Sequence, residues 1–404
     1  MEKIWLRSYP EGVPAEIDIH QFRSLGELFE KSCAQYRERV AYINMDVALT
    51  YGDLDRLSRD FAAYLQQVLQ LPKGARIALM LPNLLQYPIC MFGALRAGYV
   101  VVNCNPLYTH RELEHQLRDA GAEAIVIVEN FAHTLEQALP ALPQLKHVMV
   151  TGLGDLLGFS KGAVVNFMVR HVKKMVPTWS LPGHVRLKDA LARGRNAMLQ
   201  PVAVGHEDIA FLQYTGGTTG VAKGAMLTHR NIVANCLQAK AWSEGQMQVD
   251  EIETILTPLP LYHIYSLTAN CLIFMGIGGR NILLANPRDT KRVMKIIKNE
   301  HFTSITSVNT LFASFLDNPE FRKRDFSKLK MSMAGGMAMH KSVADRWKQL
   351  TGNDIVEGYG LTECSPIVTI NPVDLKNPRP YSGSIGVPVP STEVRMRRED
   401  GSWA

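Results

Sequence analysis

Short apolar runs that alternate with amphipathic segments constrain the fold of this sequence more than any other feature. Four of these runs predict buried strands, at 76–82, 99–106, 124–130 and 147–152. Between the first two, residues 83–98 predict a helix despite Pro88. Thr109 and Glu112 have the spacing of a capping box, which predicts a further helix that ends at Gly121. Strands that alternate with helices form largely parallel sheets covered on both faces, so we predict an α/β fold.

The same alternation starts again near residue 201 and gives way to short β-like pieces near residue 380. We therefore expect a first α/β subdomain over 1–200, a second over 201–379, and the beginning of a β-rich subdomain over 380–404. In this arrangement two largely parallel sheets, each sandwiched by helices, form stacked α/β layers.

Composition and charge exclude several classes of protein. The six cysteines are scattered without a CxxC pair, which is typical of a reducing cytosol. A formal net charge of +6 is mild for 404 residues, and no basic-aromatic motif for nucleic acid is present. The most apolar window, 264–279, is shorter than a bilayer span and contains polar residues, so it predicts a buried helix. We expect a cytoplasmic protein that binds anionic small molecules or an anionic lipid surface, and no nucleic acid.

Residues 214–224, YTGGTTGVAKG, predict a phosphate-binding loop. Glycine lets successive backbone N–H groups converge on an anion, and threonine hydroxyls and a lysine add donors and charge. Lys223 is preceded by Ala222 rather than glycine, which excludes the spelling of a P-loop. Strand-like runs flank the segment, so we expect a β-hairpin. The alternative is a plain surface hairpin, but ordinary hairpin turns use Asn-Gly or Asp-Gly.

Two other glycine signals allow different functions. GLGDLLG at 152–158 resembles a dinucleotide fingerprint whose third glycine is misplaced, and GFSKG at 158–162 has the spelling of a nucleophile elbow around Ser160. Neither has the strand context that its motif requires. Turn glycines are the favoured interpretation of both segments.

Three motifs in order resemble the adenylate-forming superfamily, which includes acyl-CoA synthetases, firefly luciferase and the adenylation domains of peptide synthetases. They are YTGGTTGVAKGAMLTH from residue 214, PLPLYHIYSL at 258–267 and EGYGLTE at 357–363. The chain is most similar to the bacterial long-chain fatty acyl-CoA synthetases, and the similarity extends through SGSIGVPVPSTEVR near its end. The resemblance implies an ATP-dependent, AMP-forming ligase that activates a fatty acid with Mg-ATP to acyl-AMP and then forms a thioester with coenzyme A.

The resemblance also implies roles for individual residues. Thr362 would bind the α-phosphate, Glu363 the Mg²⁺ with Thr215 as a second candidate ligand, and His263 would lie near the substrate carboxylate. Lys223 would act with the hairpin on the leaving pyrophosphate, and the Tyr359 ring would stack on adenine. The implied nucleotide-binding set is Tyr214, Thr215, Gly216, Gly217, Thr218, Thr219, Gly220, Lys223, Gly335, Gly336, Glu357, Gly358, Tyr359, Gly360 and Thr362. Without their motifs, Glu363 would be a solvated carboxylate, His263 a core histidine and Tyr359 a packing residue. His229 is expected near a helix N-terminus rather than in catalysis.

Members of the family continue with a ribose-binding aspartate, a hinge and a small C-terminal domain that carries an adenylation lysine. None of these is found before Ala404, so we expect a large N-terminal domain that binds ATP and fatty acid and adenylates poorly alone. The acyl-chain length stays open. Leu267 stands where some members have a gating tryptophan, and 304–316 is apolar enough to line an acyl tunnel.

Residues 163–176 predict an interfacial helix. Its apolar face comprises Val164, Val165, Met168, Val172, Met175 and Val176, and its basic face comprises Arg170, Lys173 and Lys174. The alternative is a surface helix packed on the core. The expected partners are therefore fatty acid, ATP and CoA, with an anionic inner membrane face and a second copy of the chain as further candidates. Rival functions are a ligase for other acids, a non-catalytic nucleotide- or acyl-binding module, and a hydrolase that uses Ser160.

Overall fold

The computed structural model describes residues 2–216, 221–243, 251–373 and 379–403. Its strands are β1 Val40–Asn44, β2 Val47–Thr50, β3 Arg76–Met80, β4 Val100–Asn103, β5 Ala124–Val128, β6 His147–Thr151, β7 Val185–Arg186, β8 Ile209–Thr215, β9 Lys223–Thr228, β10 Thr254–Thr257, β11 Arg280–Leu283, β12 Ser304–Ser307, β13 Met331–Ala334, β14 Ile355–Gly360, β15 Ile367–Ile370 and β16 Val387–Pro388.

Its helices are α1 Leu25–Gln35, α2 Tyr51–Ala63, α3 Gln86–Arg96, α4 His110–Ala120, α5 Ala132–Ala138, α6 Phe159–Phe167, α7 Leu187–Arg195, α8 His229–Ser243, α9 Ile264–Ser266, α10 Ile273–Gly276, α11 Thr290–Asn299, α12 Asn309–Asp317, α13 Pro319–Arg322 and α14 Lys341–Thr351. The four predicted strands of the first half are confirmed as β3, β4, β5 and β6. Pro88 lies in the first turn of α3, where a missing N–H leaves no intrahelical bond unmade. The capping box of α4 is present, and Gly121 ends that helix in the left-handed conformation.

Two sheets form the frame of the molecule. The seven-stranded sheet has the order β7-β6-β5-β3-β4-β8-β9, and the nine-stranded sheet has the order β16-β15-β14-β13-β12-β10-β11-β1-β2. The central strands of both sheets are parallel, and antiparallel pairs occur at the edges, between β8 and β9, β1 and β2, β14 and β15, and β15 and β16. This agrees with the predicted largely parallel sheets.

Helices cover both sheets, and strand β3 shows how. Ile77 and Leu79 of β3 pack in the hydrophobic cluster that also contains residues of α1, α2, α3 and strand β11. Ala78 and Met80, which point to the other face, pack with α4 and α5. Because the first cluster takes side chains from both sheets, α1, α2 and α3 form a shared middle layer. Helices α11, α12 and α14 cover the outer face of the nine-stranded sheet. The stacked α/β layers are thereby confirmed.

Sheet membership crosses the predicted subdomain limit at residue 200. β1 and β2 precede that limit but belong to the nine-stranded sheet, and β8 and β9 follow it but belong to the seven-stranded sheet. The physical reason is that parallel strands pair through long crossovers, so neighbours in a sheet need not be neighbours in sequence. The division at residues 200 and 380 stays a prediction.

The apolar window at 264–279 is a buried helical segment, as predicted. It consists of α9, a π-helical turn at 267–272 and α10. No helix among the described residues is long and apolar enough to cross a membrane.

The glycines near residue 158 serve packing. A Cβ on Gly154 would lie 2.4 Å from the backbone oxygen of Gly162, so the loop after β6 and helix α6 can approach only without side chains. Ser160 lies within α6, away from the end of β6, and therefore not on a strand-to-helix elbow.

The segment predicted as an interfacial helix, 163–176, differs from that prediction in two respects. Helix α6 is followed by a π-helical turn that ends at Val172, and Val165 packs toward the core. Arg170 does not lie on the basic face, because its guanidinium points inward and donates hydrogen bonds of 2.8 and 2.6 Å to the buried carboxylate of Glu129. A buried carboxylate requires such a partner. The exposed apolar residues form what we call the apolar patch: Phe159, Val164, Phe167, Met168, Val172 and Met175.

Candidate active site

The two strands that flank the glycine- and threonine-rich segment pair as a β-hairpin, as predicted. β8 and β9 pair in antiparallel fashion, with Thr215 opposite Lys223 and Tyr214 opposite Gly224. The predicted phosphate-binding residues Gly217, Thr218, Thr219 and Gly220 lie outside the described residues.

Helix α4 braces this hairpin through two side chains one turn apart. His115 Nε2 lies 3.1 Å from the backbone oxygen of Ala222. The Tyr214 hydroxyl donates a hydrogen bond of 2.5 Å to Asp119 Oδ2. Burial, followed by this carboxylate, raises the pKa of Tyr214 well above its usual value, so the phenol keeps its proton. Tyr214 therefore points toward α4.

A cavity of about 760 Å³ opens between the hairpin and the carboxyl ends of β13 and β14. Residues of all three motifs line it, together with Gly335 and Gly336 after β13. The motif residues are Thr215, Gly216, Lys223, His263, Gly358, Tyr359, Gly360, Thr362 and Glu363. Tyr214 and Glu357, which the sequence also assigns to the nucleotide, are not part of its wall. Most of the predicted site is thus brought together, although it comes from segments far apart in the chain.

Glu357 fastens the loops around the cavity. Its side chain is buried, and Oε1 accepts a hydrogen bond of 2.9 Å from the backbone N–H of Met339. Its backbone oxygen accepts a second bond, of 3.0 Å, from the N–H of Asn371. The segments after β13 and β15 are thereby tied to β14.

Close packing explains two of the predicted glycines. A Cβ on Gly360 would lie 2.1 Å from the backbone oxygen of Pro366, and one on Gly335 would lie 3.1 Å from the ring of Tyr265. Gly336 differs, because it has a φ of +79° and open space beside its Cα. Gly336 is therefore a position where a ligand can approach the backbone, as is Gly216, which also has open space beside its Cα.

Thr362 and Glu363 form a short 3₁₀ turn directly after β14. Glu363 is exposed on the cavity wall, and Tyr359 of β14 presents a ring that is 47% exposed. Among the residues that the structure describes, no group of three or more His, Cys, Asp or Glu could hold a metal ion. A cation here would depend on one carboxylate and on oxygens of the ligand, a set that fits Mg²⁺ with nucleotide phosphates.

His263 stands at the start of α9 and lines the cavity. Its Nδ1 accepts a hydrogen bond of 3.4 Å from the backbone N–H of Tyr265. The side chain is exposed on the cavity wall, and partial desolvation of its ring lowers the pKa of the imidazole. A neutral ring whose Nδ1 accepts a bond carries its proton on Nε2, which leaves that N–H as a donor.

The remaining wall of the cavity is apolar: Trp242, Ile273, Phe274, Met331, Val356, Val373 and Val389. Such a surface suits a hydrocarbon chain. Residues 304–316, which the sequence also offers for this role, do not line the cavity. The Phe312 and Phe315 side chains pack instead in the cluster on the outer face of the nine-stranded sheet.

Known proteins resemble this chain in sequence and in fold. The family model described as AMP-binding enzyme matches residues 29–402. A long-chain-fatty-acid–CoA ligase of Yersinia pestis is 54% identical over 402 residues, which are 100% of this chain and 71% of that protein. This chain belongs to the long-chain-fatty-acid–CoA ligases of the AMP-binding enzyme family.

Two further proteins support the family and the fold. A long-chain-fatty-acid–CoA ligase of Haemophilus influenzae is 50% identical over 406 residues and is matched over 71% of its length. The crystal structure of a long-chain-fatty-acid–CoA ligase from Archaeoglobus fulgidus has a TM-score of 0.78 at 20% identity, and the match covers 98% of this chain and 74% of that one. The predicted family and the predicted fold are both confirmed.

Proposed function

We propose that this chain activates a long-chain fatty acid with Mg-ATP to acyl-AMP and pyrophosphate, and then transfers the acyl group to the thiol of coenzyme A. One observation carries the proposal: three polar motifs and an apolar wall share a single cavity. A nucleotide and a fatty acid bound there have their reacting groups in the same space.

The first step joins two anions, so binding and charge stabilisation are the main tasks of the protein. An oxygen of the carboxylate attacks the α-phosphorus, and the bond from that phosphorus to pyrophosphate breaks with its electron pair leaving on pyrophosphate. Lys223 and the backbone N–H groups of the hairpin bind the β- and γ-phosphates. Thr362 donates its hydroxyl to the α-phosphate, and the Tyr359 ring stacks on adenine.

Glu363 is the proposed ligand of Mg²⁺, and Thr215 is a second candidate. The ion, when bound, neutralises charge on the phosphate oxygens. Both residues line the cavity on the side of the polar motifs. This placement supports the assignment.

His263 lines the same cavity as the polar motifs and the apolar residues, which supports a role with the fatty-acid carboxylate. In its neutral form, with Nδ1 accepting from Tyr265, the ring offers Nε2–H as a hydrogen-bond donor to one carboxylate oxygen. The hydrocarbon chain then extends along the apolar wall that contains Trp242 and Phe274.

A panel of acids in ATP–pyrophosphate exchange on the full-length enzyme tests this function. We expect palmitate to support exchange far better than octanoate, benzoate or any amino acid. Preference for an aryl or amino acid would favour another ligase of the superfamily, and no exchange with any acid would favour a non-catalytic binding module.

We also propose that the apolar patch contacts an anionic lipid surface. Phe159 of this patch is 95% exposed. Single exposed apolar residues are common on protein surfaces, but six in one short segment indicate an interaction surface. Lys173 and Lys174 are exposed beside it and match anionic headgroups in charge. The proposed location is therefore the cytoplasm, with peripheral contact to the inner face of the cell membrane.

A further inference from the structure

A buried hydrogen-bonded chain links the phosphate-binding hairpin to the segment that carries His263. Gln213 precedes Thr215 by two residues on β8, and its side chain is buried. Its Nε2 donates a hydrogen bond of 2.6 Å to the backbone oxygen of Tyr262, the residue directly before His263. Its Oε1 accepts a bond of 3.0 Å from Nδ2 of Asn103.

The hydrogen bond from Gln213 to Tyr262 connects the two sheets. Gln213 and Asn103 are register partners on β8 and β4 of the seven-stranded sheet. Tyr262 follows β10 of the nine-stranded sheet. The bond therefore fixes how the hairpin and the His263 segment stand across the cavity that both of them line.

Tyr87 and Asn83 also bind the backbone of the segment that precedes Tyr262. The Tyr87 hydroxyl lies 2.8 Å from Asn103 Oδ1 and 2.9 Å from the backbone oxygen of Leu261. Asn83 Oδ1 accepts a bond of 2.8 Å from the N–H of Leu261, and its Nδ2 donates one of 2.9 Å to the oxygen of Leu259. Because the backbone of residues 259–261 is tied down in this way, Gln213 acts on a segment with little freedom to drift.

We propose that Gln213 is a positioning residue for adenylation. By holding Tyr262, it sets the distance between the hairpin, which binds the triphosphate, and His263, which binds the carboxylate. The side chain must present a donor to Tyr262 and an acceptor to Asn103, and an amide of this length does both. Glutamate would place an oxygen against the Tyr262 carbonyl, and asparagine is one methylene shorter. The inference rests on the proposed role of His263.

The test replaces Gln213 in the full-length enzyme by methionine, which has a similar length and no amide. We expect kcat for palmitate-dependent ATP–pyrophosphate exchange to fall roughly 10²-fold, because small misplacements of reacting groups cost this much. KM for ATP should change by less than about threefold, since the contacts to ATP remain. Gln86→Met is the matched control. Gln86 is equally buried and donates to Thr151 and Gly152 outside the cavity, so its loss should leave kcat unchanged.

A double-mutant cycle with His263→Ala separates positioning from general damage. If Gln213 acts through His263, Gln213→Met should slow the His263→Ala enzyme by less than about twofold. An unchanged kcat in Gln213→Met, or full multiplication of the two losses, overturns the inference. Full activity in His263→Ala overturns the proposed role of His263 itself. If thermal unfolding shows that Gln213→Met does not fold, Gln213→Asn replaces it, because asparagine keeps a polar side chain. An unchanged kcat in Gln213→Asn, or full multiplication of its loss with that of His263→Ala, then overturns the inference.

Discussion

Lys223 is the residue whose charge should matter most to the nucleotide. It is exposed at the start of β9 and lines the cavity opposite Thr215. Replacing it by alanine should lower kcat/KM for adenylation by about 10²–10³-fold, the usual loss when one group that stabilises developing charge is removed. Lys146→Ala is the control, since Lys146 is also exposed but lies in a loop before β6. Equal rates in the two variants, measured by ATP–pyrophosphate exchange, would remove Lys223 from the phosphate site.

His229 should make the stability of the fold depend on pH. It is the first residue of α8, as expected for a histidine near a helix N-terminus, and its Nδ1 accepts a hydrogen bond of 3.1 Å from the N–H of Leu25. Burial lowers its pKa to about 4. The unfolded chain takes up this proton near pH 6.5, so stability is complete above that pH and falls as the pH drops toward the folded value.

The expected size of the effect is about 2 kcal/mol between pH 7 and pH 5. Urea unfolding of the parent and of His229→Gln at both pH values measures it. The glutamine variant should lose about this much of the pH dependence. The same pH dependence in both proteins would show that His229 titrates normally in the folded state.

Single residues were predictable where a local motif encodes them. Lys223, Thr362 and Glu363 lie in short motifs that the sequence shows directly, and all three line the cavity, while their roles stay predictions. Gln213 and His115 were missed because their partners, Tyr262 and Ala222, lie 49 and 107 positions away. Such contacts leave no trace in periodicity or spacing. The same limit explains Arg170, whose partner Glu129 is 41 positions away.

At the scale of elements, α4 should control how tightly the hairpin holds ATP. Tyr214→Phe removes the hydrogen bond to Asp119 and keeps the ring. We expect KM for ATP to rise about fivefold, the equivalent of about 1 kcal/mol for one hydrogen bond, with KM for palmitate unchanged.

Tyr99→Phe is the matched control for this prediction. The Tyr99 hydroxyl donates a bond of 3.0 Å to the backbone oxygen of Leu71 and does not contact the hairpin. An equal rise of KM for ATP in both variants, or no rise in Tyr214→Phe, would refute a brace by α4. Steady-state kinetics of the exchange reaction supply both constants.

The positions of strands and helices were easier to predict than which strands pair with each other. The strands β3 to β6 and the hairpin follow from apolar runs and turn residues in the sequence. The pairing of β1 with β11 does not, because it depends on which buried faces meet after the chain has crossed from one sheet to the other. The fold class was therefore predictable from the sequence, and the pairing of distant strands was not.

The molecule as a whole should associate with anionic membranes through the apolar patch. Replacing Lys173 and Lys174 together by glutamate reverses the charge beside the patch. Binding to vesicles that contain phosphatidylglycerol should fall by about 30-fold or more, since the two basic residues contribute about 1 kcal/mol each. Co-sedimentation with vesicles measures this. Arg170 is left intact because its loss would remove two hydrogen bonds to the buried Glu129 carboxylate and leave Arg186 as its remaining cationic partner.

Lys291 and Lys295 on α11 provide a charge-matched control on another face of the molecule. Their replacement by glutamate should leave vesicle binding unchanged. Equal losses in the two double variants would indicate a general charge effect, and unchanged binding in Lys173→Glu/Lys174→Glu would refute contact through this surface. The predicted homodimer stays a prediction, which sedimentation velocity would test.

The central claim is that the cavity between the hairpin and β14 is where the fatty acid is adenylated. The most direct test is palmitate-dependent ATP–pyrophosphate exchange by the full-length Glu363→Gln variant at saturating substrates. Glu320→Gln is the control, because Glu320 is an exposed residue of helix α13. We expect Glu363→Gln to exchange about 10²-fold or more slowly with unchanged thermal unfolding, while Glu320→Gln matches the parent. Exchange by Glu363→Gln at the rate of the parent would contradict the central claim.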